Sequence, residues 1–171
     1  YLVTSPSAKA AIIGLKRFAE ANQVKTAMTF SDPSMLKYFE NDINDVLGDG
    51  VDLLFCNETE ARLWSGAANI EAACEIIKTK ARQFAITQGD KGALLFDGNN
   101  YISIAAHTVN AVDTNGAGDM FAGAFLYGIT SGKDFATAGR LASLGSAIVV
   151  SKFGPRLDAA LHQKIADVIL V

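Results

Sequence analysis

The first half of the chain alternates between short apolar runs and segments whose apolar residues recur on one helical face. This pattern predicts strands at residues 1–4, 24–30, 51–55 and 84–87. It predicts helices that run from Ser5-Pro6-Ser7 to near Asn22 and over residues 35–47, 58–64 and 70–80. Strands separated by helices of this length indicate an α/β fold with a largely parallel sheet flanked by helices.

The second half of the chain departs from this alternation. Two apolar runs, at 92–96 and 101–104, flank Asp97-Gly98-Asn99-Asn100, whose residues favour a tight turn. We therefore predict an antiparallel hairpin, followed by helices at 117–129, 135–151 and 157–169. Neither an internal repeat nor a linker divides the 171 residues, so we expect one domain.

Composition and charge limit the classes of function. The net charge of −3 and the pI near 5.3 argue against binding to nucleic acid, which needs a clustered basic surface. Cys56 and Cys74 lack the spacing of a zinc site or a disulfide framework, so we expect reduced thiols. The sequence has neither a membrane-length apolar run nor a secretory signal, and we expect a cytoplasmic protein without membrane contact. Because the sequence does not begin with Met, we expect a piece of a longer protein.

The segment at residues 112–121 carries the most informative chemistry. Gly116, Ala117 and Gly118 have small side chains at the start of a predicted helix, where backbone amides and the helix dipole can bind a phosphate. Asp119 follows in the first turn, where its carboxylate could accept a proton from an attacking hydroxyl. Small residues are also common in tight turns, and an acid at a helix start is favourable for the dipole alone. The spacing by itself leaves both interpretations open.

Two familiar nucleotide motifs are absent. The sequence has no G-x-x-x-x-G-K-[ST] motif, which excludes the P-loop arrangement. Gly116-x-Gly118 is followed by Phe121 and then by Gly123, so the dinucleotide motif G-x-G-x-x-G also fails, and we disfavour an NAD-dependent enzyme.

Residues 113–123, Asp-Thr-Asn-Gly-Ala-Gly-Asp-Met-Phe-Ala-Gly, closely resemble the C-terminal signature of the ribokinase-like, or PfkB-type, carbohydrate kinases. That family includes ribokinase, fructokinase and adenosine kinase. The resemblance implies that Asp119 is the catalytic base and that the amides of Gly116, Ala117 and Gly118 form an anion hole. It also places Asp113 in a loop associated with a monovalent cation such as K⁺.

Asn57-Glu58-Thr59-Glu60 follows a predicted strand and resembles the Asn-x-x-Glu motif of the same family. The resemblance implies that Asn57 and Glu60 help to organise Mg²⁺ and the phosphates of ATP. Taken alone, Asn57 is equally an ordinary helix cap with Glu60 in the first turn. At residues 32–34, Asp-Pro-Ser stands where many relatives carry Asn at the third position, which leaves a role for this turn in doubt.

Two further segments match the family in chain order. Residues 87–92 resemble its Thr-x-Gly-x-x-Gly loop near the nucleotide, and residues 150–156 resemble its closing loop beside the adenine and cation sites. The resemblance assigns nucleotide contacts to Thr87, Gly89, Gly92, Asn115, Ser143 and Gly154.

The sequence therefore predicts an α/β, ribokinase-like fold in which residues 1–171 form the C-terminal nucleotide-binding and catalytic part. The N-terminal half, with the substrate loop and the lid, is expected to be absent. The predicted reaction is ATP-dependent phosphoryl transfer, with Mg²⁺, to a hydroxyl group of a sugar or nucleoside. A nucleotide-binding domain without catalysis is the alternative, and homodimerisation of the full-length protein stays open.

Overall fold

The computed structural model describes residues 1–170, with the exception of the side chains at 166 and 168–170. The chain forms two compact units, one over residues 1–86 and the other from residue 87 onward. Each unit is described by itself below.

The first unit alternates helices and strands in the predicted order. Its elements are α1 (Pro6–Ala21), β1 (Ala27–Thr29), α2 (Pro33–Leu47), β2 (Val51–Asn57), α3 (Glu58–Ser65), α4 (Ile70–Ile77) and β3 (Ala81–Thr87). Strand β1 pairs with β2 in parallel, with Ala27 opposite Leu53 and Thr29 opposite Phe55. Strand β3 is the next neighbour of β2. The parallel arrangement expected from the alternation is confirmed.

Local polar groups decide where several of these elements begin and end. The prediction of a strand at residues 1–4 is wrong, because Leu2–Thr4 forms a 3₁₀ turn. The hydroxyl and the amide of Thr4 both donate to the carbonyl of Tyr1, at 2.8 and 3.1 Å. Strand β1 is shorter than the predicted 24–30, and Gln23 and Ser31 adopt positive φ on either side of it.

The core of the first unit lies between the strands and helices α2 and α4. Leu54 of β2, Phe84 of β3 and Ile77 of α4 are completely buried. Cys56 and Cys74 are buried free cysteines. Helix α1 differs from the other helices of the unit, because none of its residues is buried.

The second unit opens with the predicted hairpin. Strands β4 (Ala93–Phe96) and β5 (Tyr101–Ile104) are antiparallel, and the Asp97 carboxylate accepts hydrogen bonds from the amides of Asn99 and Asn100 in the turn. These two bonds close the turn between the strands.

Three helices complete the second unit: α5 (Ala117–Thr130), α6 (Phe135–Val150) and α7 (Ala159–Leu170). Phe121 and Phe125 of α5 are buried. Helices α5 and α6 pack closely, since a Cβ atom on Gly128 would lie 2.8 Å from the Cβ of Ala138. Close packing of this kind fixes α5 against α6.

The two units together confirm the predicted fold class, an α/β protein with a largely parallel sheet, flanking helices and an antiparallel hairpin. Among the helices of residues 1–170, none combines the length and the apolar character that crossing a bilayer requires.

Candidate functional site

The start of α5 depends on a glycine at its N-terminal cap. Gly116 has φ = +77°, a conformation that costs other L-residues about 1–2 kcal/mol. A Cβ atom at this position would also lie 2.5 Å from the Cβ and 2.8 Å from the carbonyl oxygen of Pro155. The loop therefore reaches the first turn of α5 in this path only with glycine at residue 116.

Only some of the backbone amides in this first turn donate hydrogen bonds to other groups of the protein. The amide of Met120 donates to the carbonyl of Gly116 at 2.9 Å, and the amide of Ala117 donates to Thr114 at 3.3 Å. Within the described residues, no acceptor is recorded for the amides of Gly116, Gly118 or Asp119. Unpaired amides at the positive end of a helix dipole are suited to bind an anion.

Asp119 lies in this first turn and is exposed to solvent. No hydrogen bond or ion pair of its carboxylate is recorded within residues 1–170. The carboxylate is therefore accessible to a hydroxyl group that approaches the start of α5.

Asp113 joins the loop before α5 to the loop after α6. One oxygen of its carboxylate accepts a hydrogen bond from the amide of Asn115 at 3.0 Å, and the other accepts from the amide of Gly154 at 3.1 Å. These amides, that of Asn115 first, lower the pKa of Asp113 because they favour the ionised form. The amides of Val112 and Asp113 also donate to the carbonyl of Val150. The signature and the closing loop, far apart in the sequence, are thus neighbours.

Helix α6 holds the same turn through residues that the motifs did not indicate. The hydroxyl of Ser146 donates to the carbonyl of Ala117 at 2.9 Å. A Cβ atom on the adjacent Gly145 would lie 3.2 Å from the side chain of Met120, so the small residue leaves room for it. A single sequence carries no signal that pairs residues 29 positions apart, which is why Ser146 was missed.

The other predicted nucleotide contacts have different environments. Ser143 is buried and its hydroxyl donates to the carbonyl of Ala105 at 2.9 Å. Gly92 has φ = +96°, and a Cβ atom there would overlap the carbonyl oxygen of Ile104. Thr87 is the last residue of β3, and Gly89 has open space around it at φ = +61°. Packing alone therefore explains Gly92, whereas Gly89 leaves space for a ligand.

In the first unit, Asn57 and Glu60 close a complete capping box at the start of α3. The Asn57 side chain accepts a hydrogen bond from the amide of Glu60 at 2.8 Å. The Glu60 carboxylate accepts from both the amide and the side-chain nitrogen of Asn57, at 2.9 and 2.8 Å. Glu60 is only 3% exposed, and this burial raises the pKa of its carboxyl group.

A second carboxylate, that of Asp32, acts on Glu60. Asp32 caps α2 just after β1, and Asn57 ends β2, so both lie at the carboxyl edge of a parallel strand pair. Hydrogen bonds from Ser34 lower the pKa of Asp32, and the negative charge of Asp32 contributes to the raised pKa of Glu60.

The acidic side chains at this edge fit Mg²⁺ only if substrate phosphates and water complete the coordination of the ion. Among the described residues, no group of three His, Cys, Asp or Glu side chains could hold a metal ion. Mg²⁺ commonly binds through one or two carboxylates together with waters and substrate phosphates. Glu60 and Asp32 provide two carboxylates, which is the number that this mode requires, and a cation beside them would offset the repulsion by which Asp32 raises the pKa of Glu60.

The chain is similar in sequence and in fold to several known kinases. Ribokinase of Staphylococcus aureus (strain COL) is 30% identical over 167 residues, which are 92% of this chain and 52% of the relative. A probable sugar kinase from Rhizobium etli CFN 42 superposes with a TM-score of 0.88 at 31% identity, covering 96% of this chain and 50% of that protein. Adenosine kinase from Sinorhizobium meliloti gives a TM-score of 0.87 at 30% identity, covering 94% and 50%.

The chain thus spans about half the length of these relatives. The sequence profile of the pfkB family matches residues 2–161, nearly the whole chain and both of its units. The chain belongs to the pfkB family of carbohydrate kinases.

Proposed function

We propose that the full-length protein transfers the γ-phosphoryl group of ATP to a hydroxyl group of a sugar or nucleoside. The observation that carries this proposal is the exposed Asp119 carboxylate in the first turn of α5, beside backbone amides without an acceptor. A base and an anion-binding site in one turn are what an in-line phosphoryl transfer to an alcohol requires.

In the proposed reaction Asp119 accepts the proton of the acceptor hydroxyl, whose oxygen then forms a bond to the γ-phosphorus. The bond from that phosphorus to the bridging oxygen of ATP breaks, and ADP leaves with the electron pair. The amides of Gly116 and Gly118 stabilise charge on the transferring group, in a geometry that Gly116 and Ser146 hold in place. The amide of Ala117 joins them only if its 3.3 Å bond to Thr114 opens.

The first unit supplies the proposed acidic groups for Mg²⁺. When bound, Mg²⁺ neutralises phosphate charge and orients the phosphates. Glu60 and Asp32 supply negative charge, and Asn57 orients Glu60 through three hydrogen bonds. Because the capping box already engages both Glu60 oxygens, these residues act on the ion through their remaining lone pairs or through water.

A monovalent cation such as K⁺ near Asp113 is a separate part of the proposal. Both oxygens of this carboxylate accept amide hydrogen bonds, so its main contribution is to shape the loop that joins residues 113–116 to Gly154. A rate of phosphoryl transfer that rises when K⁺ replaces a bulky organic cation at constant ionic strength would support the ion site.

The acceptor is tested by incubating the full-length protein with ATP, Mg²⁺ and a panel of sugars and nucleosides, and by measuring ADP release and the phosphorylated product. We expect turnover with at least one member of the panel. Nucleotide binding without transfer to any acceptor would contradict the proposal and favour a binding domain without catalysis.

A further inference from the structure

Asn115 and Gly116 form the only Asn-Gly pair in the sequence. The side-chain carbonyl carbon of an asparagine lies within reach of the backbone nitrogen of the next residue, and a bond between these atoms closes a five-membered succinimide ring. A Cβ atom on the next residue hinders this closure, and glycine has none. On chemical grounds, Asn115 is therefore the asparagine of this chain that loses its side-chain amide most readily.

The structure leaves the reacting groups of this pair accessible. Asn115 is exposed, and it lies in the turn before α5, outside any helix or strand. Within residues 1–170, no hydrogen bond is recorded that holds the Gly116 nitrogen. The Asp113 carboxylate accepts from the main-chain amide of Asn115 at 3.0 Å and also interacts with its side chain. These contacts orient Asn115 and leave the attacking nitrogen unengaged.

We propose that Asn115 is a site of spontaneous deamidation whose products close the anion site at the start of α5. The Gly116 nitrogen gives its proton to water or hydroxide and forms a bond to the side-chain carbonyl carbon of Asn115, and ammonia leaves. Water then opens the ring at one of its two carbonyl carbons, which yields aspartate or isoaspartate. In sum, asparagine and water give an acid and ammonia, and water is the only other reactant.

Either product places a new negative charge one residue before Gly116. A like charge beside the unpaired amides of Gly118 and Asp119 opposes the binding of a phosphate. In isoaspartate the backbone is also one methylene group longer, at a point where Gly116 already passes close to Pro155. This loss of anion binding rests on the proposed function, whereas the deamidation rests on the sequence and the geometry of the turn alone.

Peptide mapping by mass spectrometry tests the chemistry in the folded full-length protein, aged at mildly alkaline pH and checked for folding by circular dichroism. Asn110 is the internal control, because it is exposed in the same loop and Ala111 follows it. We expect Asn115 to be converted about tenfold faster than Asn110 or more, with part of the product as isoaspartate. Equal rates at the two asparagines would overturn the proposal.

The Kd for ATP with Mg²⁺ tests the consequence. The wild type is aged beside Asn115→Gln, whose longer side chain would have to close a six-membered ring, and each Kd is compared with its own starting value. We expect the Kd of fully converted wild type to rise about fivefold or more and that of Asn115→Gln to stay within about twofold. An unchanged Kd after complete conversion would overturn the closure of the anion site.

The two hypotheses fail in different ways. Slow conversion of Asn115 beside normal phosphoryl transfer would overturn this inference alone. Rapid conversion in a protein that phosphorylates no acceptor would support the deamidation and contradict the proposed function.

Discussion

Substitution of Gly116 by alanine tests whether the loop before α5 is built as described. Two costs follow from the structure. The φ angle of +77° disfavours any residue with a Cβ atom by about 1–2 kcal/mol. The new methyl group would also lie 2.5 Å from the Cβ of Pro155, and overpacking of this kind costs about 1–3 kcal/mol.

The expected loss in the free energy of unfolding is therefore about 2–5 kcal/mol for Gly116→Ala. Gly123→Ala is the matched control on the same helix, because a Cβ atom at Gly123 would meet nothing within 4 Å and its φ is not positive. Replacing a helical glycine at an open position stabilises by up to about 1 kcal/mol.

The assay is urea unfolding of the full-length wild type and of both variants, followed by fluorescence and by circular dichroism. ATP-dependent turnover is measured in parallel, and we expect it to fall for Gly116→Ala and to hold for Gly123→Ala. If the two variants are equally stable, Pro155 does not approach Gly116 as closely as the structure has it. The loop before α5 and the loop after α6 would then not be packed together at this point.

Two further predictions concern the proposed anion site and Glu60. Gly118 has open space around it, so Gly118→Ala should keep or raise the stability of the protein. Because the Cβ of a helical residue leans toward the N-terminus, the new methyl group would crowd the proposed anion site, and we expect kcat/KM for ATP to fall about tenfold or more. An unchanged kcat/KM would argue against the amide site. Burial raises the pKa of Glu60, so between the ordinary glutamate pKa and this raised value the folded state binds more protons than the unfolded state. The free energy of unfolding should then fall as pH rises through that window, and Glu60→Gln should flatten the profile; parallel profiles for the two proteins from urea titrations would contradict the assignment.

The sequence predicted most elements because each helix carries its own signals. Ser5 and Pro6 begin α1, Asp32 and Pro33 begin α2, and Asn57 with Glu60 begins α3. The same approach failed at residues 1–4, where an apolar run was too short to distinguish a strand from a 3₁₀ turn. Local patterns thus located helix starts better than they identified isolated short segments.

The candidate site was predicted where its members are contiguous in the sequence. Gly116 and Asp119 were both identified from one motif. Their roles in binding an anion and in accepting a proton stay predictions. The hydrogen bonds of Asp113 with Gly154 and of Ser146 with Ala117 join residues 29 or more positions apart. The electrostatic effect of Asp32 on Glu60 likewise acts between different elements. Such contacts depend on packing, which a single sequence does not encode as a local pattern.

The most direct test of the account is the turnover number of full-length Asp119→Asn with ATP and the acceptor found in the panel. We expect kcat to fall by about 10²–10⁴, because the amide cannot accept the hydroxyl proton, while the Kd for ATP stays close to the wild-type value. A kcat near that of the wild type would contradict the role of Asp119 as the base.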